Sequence, residues 1–257
     1  MAQTALVTGA SGGLGLEIAR ELAGRGYNLV LVARSVDRLE EIAKELHEAS
    51  GVQTYVCPAD LSSEIGAASV VDFTESEGIQ VSVLVNNAGF GDCARFADAD
   101  LQKLTNMVDL NVRALTQLTY YYLGGMLDAR DGRILNIASV AGFYPGPGMA
   151  TYFASKAFVL SLTEALAEEL RGTGVTCTAL CPGTTNTSFW NVAEAGDLSI
   201  ARQAVMASPD EVAAYGVKSL MRGKTVAVPG LVNKAMCAGV RFLPRKVVTR
   251  IVSLVLG

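Results

Sequence analysis

Tyr152 and Lys156 lie four residues apart in a segment of helical periodicity, so a helix would carry both side chains on one face. A tyrosine phenol has an ordinary pKa of about 10, and a neighbouring ammonium group favours the phenolate. The spacing therefore predicts that Lys156 lowers the pKa of Tyr152 and prepares it to exchange protons near neutral pH. Ser139 ends a predicted strand thirteen residues earlier, where the side chains of a doubly wound sheet line its crevice.

A glycine-rich octet, T-G-A-S-G-G-L-G at residues 8–15, follows the first predicted strand and opens the first predicted helix. Backbone amides and the helix dipole at such a junction attract anions, and glycine lets a pyrophosphate approach the backbone. This context is the one expected of a dinucleotide-binding fingerprint. The predicted cofactor contacts in the octet are Gly9, Ser11, Gly12, Gly13, Leu14 and Gly15.

The same octet also fits G-x-S-x-G, the nucleophile elbow of α/β-hydrolases, with Ser11 as the nucleophile. Such an enzyme needs a histidine base, and His47 is the only histidine in the chain. His47 lies in the middle of a predicted outer helix, where a solvated side chain is the simpler interpretation. The hydrolase hypothesis is therefore disfavoured.

Arg34 occupies the end of the second predicted strand, where an NAD enzyme would offer an acidic residue to the ribose hydroxyls. A guanidinium group there can pair bidentately with a ribose 2′-phosphate. The alternative is an ordinary loop arginine. The position favours NADP(H) over NAD(H).

Apolar runs of strand length alternate with segments of helical periodicity, which is typical of a parallel sheet wrapped by helices. The pattern predicts an α/β fold, a single doubly wound Rossmann-type domain over residues 1–257, whose seven-stranded, mostly parallel sheet has helices on both faces. Strands are predicted at residues 4–8, 29–33, 54–58, 81–86, 133–139, 176–181 and 225–228. Helices are predicted at residues 15–25, 38–50, 64–76, 101–127, 152–171 and 209–222.

Composition excludes several other classes of protein. A net charge of −4 gives no basic field for nucleic acid. The five cysteines are scattered and read as reduced core residues, and with a single histidine no metal site is predicted. The first residues lack the charged and apolar regions of a secretory signal, so a cytoplasmic location is expected.

With these motifs in order, the chain resembles the short-chain dehydrogenase/reductase family, in its NADPH-preferring type, from Thr4 to about Gly230. Further segments stand where that family has them. They are Asp60-Leu61, Asn86-Asn87-Ala88-Gly89, Asn111, Ser139, Tyr152 with Lys156, and Pro182-Gly183 followed by Thr187.

The resemblance implies a role for each of these positions. Asp60 and Leu61 would border the adenine, and Asn87, with Ala88 and Gly89, would support the adenosine side. Asn111 would interrupt its helix and hold a water on its carbonyl, linking Lys156 to solvent. Pro182, Gly183, Thr185 and Thr187 would complete the cofactor site, although the family more often has Val or Ile at position 185.

The implied reaction is hydride transfer between the nicotinamide and a carbonyl carbon, with Tyr152 as general acid or base. Lys156 would bind the nicotinamide ribose and depress the tyrosine pKa, while Ser139 would hydrogen-bond the substrate oxygen. Two alternatives remain open: an NADPH-binding sensor without turnover, and a sugar-nucleotide epimerase or dehydratase using the same tyrosine and lysine.

The substrate depends on residues 141–150 and on a predicted flap at about residues 184–208, so its identity stays open. Five large side chains there suggest a small, apolar carbonyl or alcohol compound: Phe143, Tyr144, Met149, Phe189 and Trp190. The resemblance also implies a homodimer or homotetramer, formed through the helices at 101–127 and 152–171.

A basic, amphipathic C-terminal extension is predicted at about residues 231–257. Its apolar stripe could touch an anionic membrane surface weakly and peripherally, or it could pack on protein.

Overall fold

The computed structural model describes residues 3–185 and 207–256. Its strands are β1 (Thr4–Thr8), β2 (Asn28–Ala33), β3 (Thr54–Pro58), β4 (Val81–Asn86), β5 (Gly132–Ile137), β6 (Val175–Leu180) and β7 (Val226–Ala227). They form one sheet in the order β3-β2-β1-β4-β5-β6-β7, and every pairing is parallel. The predicted doubly wound α/β fold is confirmed, with each strand end within two residues of its prediction.

The helices of the described ranges are α1 (Gly13–Ala23), α2 (Val36–Ser50), α3 (Gly66–Ser76), α4 (Leu101–Val108), α5 (Leu115–Ala129), α6 (Ala150–Glu169), α7 (Pro209–Met221), α8 (Leu231–Gly239) and α9 (Arg245–Leu256). The helix predicted at residues 101–127 is divided by a π-helical turn, Asp109–Ala114, which contains Asn111. A helix at the position of α8 was not predicted. Within the described ranges, no helix has the length and apolar character needed to cross a membrane.

Helices cover both faces of the sheet. Successive side chains along each strand point to opposite faces, so side chains on both sides of a strand are buried. In β1, Ala5 and Val7 pack with apolar residues of α1, α2 and α7. Leu6, between them, packs on the other face with residues of α3 and α5. This explains why the strands are continuously hydrophobic rather than alternating.

The strand order reverses direction between β1 and β4, which opens a crevice at their carboxyl ends. Thr8 fixes this junction with its hydroxyl group. The Thr8 Oγ1 atom donates a hydrogen bond to the Val85 carbonyl at 3.1 Å. It also accepts hydrogen bonds from the backbone amides of Asn87 at 2.9 Å and Ala88 at 3.0 Å. The first glycine loop and the chain after β4 are thereby held side by side.

Candidate active site

A cleft of about 1070 Å³ runs along the carboxyl ends of the strands. The segments that follow β1 to β6 line it, together with the first turns of α6 and one side of α8. The strand ends thus bring together residues that are far apart in sequence, from Gly9 to Met236. Ligands of open α/β sheets bind in such a crevice.

The glycine loop is shaped by close contacts and by positive backbone angles. Gly9 and Gly13 have φ values of +66° and +54°, in a backbone region that residues other than glycine rarely adopt. A Cβ atom on Gly15 would lie 2.3 Å from the Gly9 carbonyl oxygen, so helix and loop touch directly. A Cβ atom on Gly12 would meet no atom of residues 3–185 or 207–256 within 4 Å, and Gly12 lines the cleft. The loop therefore leaves an open cradle at the N-terminus of α1, which fits a pyrophosphate group.

The hydrolase hypothesis finds no base near this loop. His47 lies on α2, and its Nδ1 atom is 2.9 Å from the carbonyl oxygen of Val52. The residues that line the cleft do not include it. Ser11 does line the cleft, together with Gly9, Gly12 and Gly13 of the glycine loop.

Asn87 ties the chain after β4 to the glycine loop. Its Nδ2 atom donates hydrogen bonds to the carbonyl oxygens of Thr8 at 2.8 Å and Gly9 at 3.3 Å. Asn87, Ala88 and Gly89 all line the cleft. Asn87 thus holds the loop in the shape that the cradle requires.

The far end of the cleft carries a cation and an anion. Arg34 follows β2 with an exposed side chain, and Asp60 and the buried Leu61 follow β3. The carboxylate of Asp60 accepts hydrogen bonds from the Ser62 hydroxyl at 2.7 Å and from the Ser62 amide at 3.0 Å. These two hydrogen bonds, with a smaller contribution from the charge of Arg34, lower the pKa of Asp60. An anionic group placed at the end of β2 would meet the guanidinium group.

The candidate proton-transfer groups converge beyond the end of β5. Ser139 lies two residues past this strand rather than in it, because the chain turns there into the 3₁₀ turn Val140–Phe143. The Ser139 Oγ atom accepts a hydrogen bond from the Ala141 amide at 3.1 Å. It also donates a hydrogen bond to the Pro182 carbonyl at 3.4 Å, and the Ser139 side chain is close enough to Tyr152 to lower the pKa of its phenol.

Lys156 lies one helical turn after Tyr152 and is only 6% exposed. Its Nζ atom donates a hydrogen bond to the Ile137 carbonyl at 2.7 Å and lies 5.8 Å from the centre of the Tyr152 ring. The predicted helical face shared by the two side chains is therefore present in the structure.

Burial dominates the electrostatics of this pair. Removal from water raises the pKa of Tyr152 to about 12, and the hydrogen bond from Ser139 opposes this only partly. Burial lowers the pKa of Lys156 to about 8. For the protein's own groups, desolvation of the phenolate has the largest effect on the pKa of Tyr152, and the lowering of that pKa by Lys156 remains a prediction.

Asn111 connects three parts of the site and is 1% exposed. Its side-chain amide brackets the backbone of Phe90: Oδ1 accepts from the Phe90 amide at 3.1 Å, and Nδ2 donates to the Phe90 carbonyl at 3.0 Å. The Nδ2 atom also donates to the Ser155 hydroxyl at 3.1 Å. The π-helical turn thus links the chain after β4 to α6. The water predicted on the Asn111 carbonyl remains a prediction.

The chain after β6 forms the next wall of the cleft. Pro182, Gly183 and Thr185 line it, and the Thr185 hydroxyl donates to the Gly183 carbonyl at 3.2 Å. A Cβ atom on Gly183 would lie 2.7 Å from the Nδ2 atom of Asn233, so α8 packs directly on this segment. Thr187 lies outside the described residues.

Several cleft residues were not predicted from the sequence. Asn233 and Met236 reach the cleft from α8, and Lys103 and Asn106 reach it from α4. Lys103 forms an ion pair with Asp92 at 2.7 Å. The only signal for α8 was the pair Pro229-Gly230, which can end one element and begin another.

The part of the cleft near Tyr152 has apolar walls. Tyr144 and Met149 line it as predicted, together with Phe153 and Met236. Phe143 does not line the cleft and packs instead against a buried apolar cluster. Phe189, Trp190 and most of the predicted flap at 184–208 lie outside the described residues.

Residues 3–197 match the family described as short chain dehydrogenase. A sulfoacetaldehyde reductase of Chromohalobacter salexigens is 39% identical over 77% of this chain and 78% of its own length.

Two solved structures are also similar. A short-chain dehydrogenase from Sphingobium yanoikuyae in complex with NADPH is 33% identical, with a TM-score of 0.84 over 93% of this chain and 92% of its own. A bulky-bulky ketone specific alcohol dehydrogenase from Comamonas testosteroni is 32% identical, with a TM-score of 0.78 over 95% of each chain.

Proposed function

The chain belongs to the short-chain dehydrogenase family of oxidoreductases, and from this premise we propose that it reduces an apolar ketone or aldehyde with NADPH. The reverse reaction would oxidise the matching alcohol. One observation carries the proposal: Ser139, Tyr152 and Lys156 meet beside a cleft whose glycine loop fits a pyrophosphate.

The cofactor would lie along the strand ends. Gly9 to Gly15 would hold the pyrophosphate with backbone amides, and Asp60 and Leu61 would border the adenine. Arg34 would pair with the 2′-phosphate, which favours NADP(H) over NAD(H). When bound, NADPH supplies the hydride.

Tyr152 is suited to donate a proton in the reducing direction. With a pKa of about 12, its hydroxyl group holds the proton at neutral pH. It would give that proton to the carbonyl oxygen as the carbon is reduced. Ser139 would donate a hydrogen bond to the same oxygen and stabilise its developing negative charge. In the oxidising direction Tyr152 would first have to lose that proton.

The substrate we propose is apolar, because Tyr144, Met149, Phe153 and Met236 form the cleft walls nearest Tyr152. A similar protein is named for bulky ketones, and another is named as a reductase of an aldehyde. These names support a carbonyl substrate and leave its size open.

We also propose that the chain self-associates through α5 and α6. On α5, Tyr120 is 78% exposed, and the next residue, Tyr121, is also exposed. Phe158 of α6 is exposed as well. Large exposed aromatic side chains are common in protein interfaces. Sedimentation of the wild type and of Tyr120→Ser would test this, because the substitution should shift a dimer or tetramer toward the monomer.

The experiment that tests the function is loss of NADPH absorbance across a panel of ketones, aldehydes and 3-oxoacyl thioesters, with NADH in parallel. Tyr152→Phe should lower kcat by about 100-fold to 10,000-fold, the usual contribution of general acid catalysis. Tyr122→Phe is the matched control. Tyr122 is likewise partly buried, with a pKa raised to about 12, but its hydroxyl group is hydrogen-bonded to Thr74 and does not line the cleft.

Turnover that survives Tyr152→Phe would contradict the assigned proton donor. Tight NADPH binding without turnover of any compound would favour the sensor hypothesis. Recycling of a bound cofactor without net oxidation would favour an epimerase or dehydratase.

A further inference from the structure

The C-terminal segment, residues 231–254, has large apolar side chains that the described residues leave exposed. Phe242 is 86% exposed, Leu254 is 85% exposed and Leu231 is 82% exposed. Val232 follows Leu231 and is 76% exposed. A group of this size on one short segment is unusual for a soluble surface and indicates an interaction site.

The α9 helix has two apolar faces, and only one of them packs on the protein. Val248 is 5% exposed, and Val252, four residues later, packs against the cluster that holds Met149 and Tyr152. This packing fixes the rotation of the helix. The second apolar stripe, Val247, Ile251 and Leu254, has the spacing of one helix face and is exposed along its whole length.

A cationic ridge borders the exposed stripe. Lys246 and Arg250 are one turn apart and lie next to the stripe on the helix surface. The segment also carries Lys234, Arg241 and Arg245, and the sequence has no acidic residue after Glu211. An amphipathic helix with basic side chains beside an apolar face is the pattern of helices that lie in the interface of anionic membranes.

The charge argues against a second copy of the chain as the occupant. A symmetric contact through this surface would bring Lys246 and Arg250 of two copies together without a carboxylate from the same segment. An anionic bilayer offers both partners that the surface lacks, acyl chains for the apolar stripe and phosphate groups for the ridge.

We propose that the outer surface of residues 231–254 docks the protein on an anionic lipid bilayer. The inner side of α8 lines the cleft through Asn233 and Met236, and the sulfur of Met236 lies 3.8 Å from the Tyr144 hydroxyl oxygen. The docked surface therefore adjoins the apolar end of the cleft. An apolar carbonyl compound dissolved in the bilayer enters there, a step that rests on the proposed function.

Vesicle sedimentation tests the docking without any need for turnover. The wild type should bind vesicles that contain phosphatidylglycerol, bind pure phosphatidylcholine vesicles much less, and dissociate as salt is raised. A basic side chain near an anionic surface contributes about fivefold in binding, so K246Q/R250Q should lower the partition coefficient about 30-fold.

Two matched controls separate docking from general effects. K44Q/R171Q removes the same charge from side chains that are 78% and 77% exposed elsewhere, and it should bind as the wild type does. Leu254→Ser should weaken binding at all salt concentrations, whereas Ile65→Ser, at a position 72% exposed on another surface, should not.

Equal binding of K246Q/R250Q and K44Q/R171Q, or no binding to phosphatidylglycerol vesicles, would overturn the docking. So would a shift from dimer to monomer in Leu254→Ser, since the surface would then be a self-interface.

Delivery of the substrate is tested separately. The rate with a water-soluble ketone, measured without vesicles, reports the proposed function alone, and K246Q/R250Q should leave it unchanged. With a long-chain ketone held in phosphatidylglycerol vesicles, K246Q/R250Q should lose most of the wild-type rate. Inactivity on every ketone would refute the function while leaving the docking result intact, and equal rates of both proteins on the vesicle-held ketone would refute delivery.

Discussion

Replacing the buried Lys156 with methionine should change how the stability of the cofactor-free protein depends on pH. Lys156 is 6% exposed, and no carboxylate of the described residues is among the groups that shift its pKa. Burial lowers that pKa from 10.5 to about 8. In the unfolded chain the lysine therefore binds its proton more tightly than in the folded chain. Methionine keeps a similar length and shape without the charge.

The sign and size follow from proton linkage. Where the unfolded state binds more protons, the free energy of unfolding rises with pH. Between about pH 8 and 10.5, Lys156 holds its proton in the unfolded chain but loses it in the folded chain. Below pH 8 it is charged in both states, and the full cost of burying the charge then lowers the free energy of unfolding. Each unit of pKa shift corresponds to about 1.4 kcal/mol. Between pH 7 and pH 10, the wild type should therefore gain about 2.5 kcal/mol relative to Lys156→Met.

Urea unfolding at a series of pH values between 7 and 10 measures this difference. Subtracting the free energy of unfolding of Lys156→Met from that of the wild type at each pH removes the contributions of groups that both proteins share, such as Tyr152 and the buried cysteines. Lys44→Met, at a side chain 78% exposed, is the control for loss of one cation, and its curve should stay parallel to that of the wild type. Parallel curves for Lys156→Met and the wild type would refute the view that burial controls this lysine.

Three further changes test the cleft. Gly15→Ala should weaken NADPH binding on the order of tenfold, because its Cβ would meet the Gly9 carbonyl at 2.3 Å. Gly124→Ala, with open space around it, is the control and should leave binding unchanged. Fluorescence titration with NADPH compares the two variants. Arg34→Glu should lower kcat/KM for NADPH by about 10-fold to 100-fold, the loss of a charged hydrogen bond, and spare NADH; equal loss with both cofactors would contradict a 2′-phosphate contact. Asn87→Ala should lower the free energy of unfolding by about 1–3 kcal/mol in urea, since it leaves two carbonyls without a donor, and an unchanged midpoint would contradict that role.

The strands were predictable because burial on both faces makes their apolar runs continuous, as at residues 29–33 and 81–86. Strand ends bring their following residues to one edge, so the meeting of Gly9, Asn87 and Ser139 also followed from the order of elements. The shared helix face of Tyr152 and Lys156 needed only a spacing of four residues.

The electrostatics could not be predicted in the same way. A spacing reports which side chains are neighbours, but the pKa of Tyr152 depends on how much water the surrounding chain removes. The loss of water around Tyr152 depends on packing by residues such as Phe153 and Val252. Val252 lies a hundred residues away in the sequence, and neither residue belongs to a recognisable motif. The π-helical turn at Asn111 had no periodic signal either, and only the resemblance implied an interruption there.

The same reasoning explains why the cofactor could be predicted more closely than the substrate. The predicted dinucleotide site consists mainly of backbone atoms at strand ends. Glycines in the sequence show where a ligand or another segment can come close to the backbone. The end of the cleft near Tyr152 is lined by side chains from the chain after β5 and from α8. Their positions depend on tertiary contacts such as Asn233 against Gly183. Asn233 and Met236 of α8 line the cleft, while Leu231 and Val232 of the same helix are exposed, so a substitution in α8 can alter the cleft and the outer surface together.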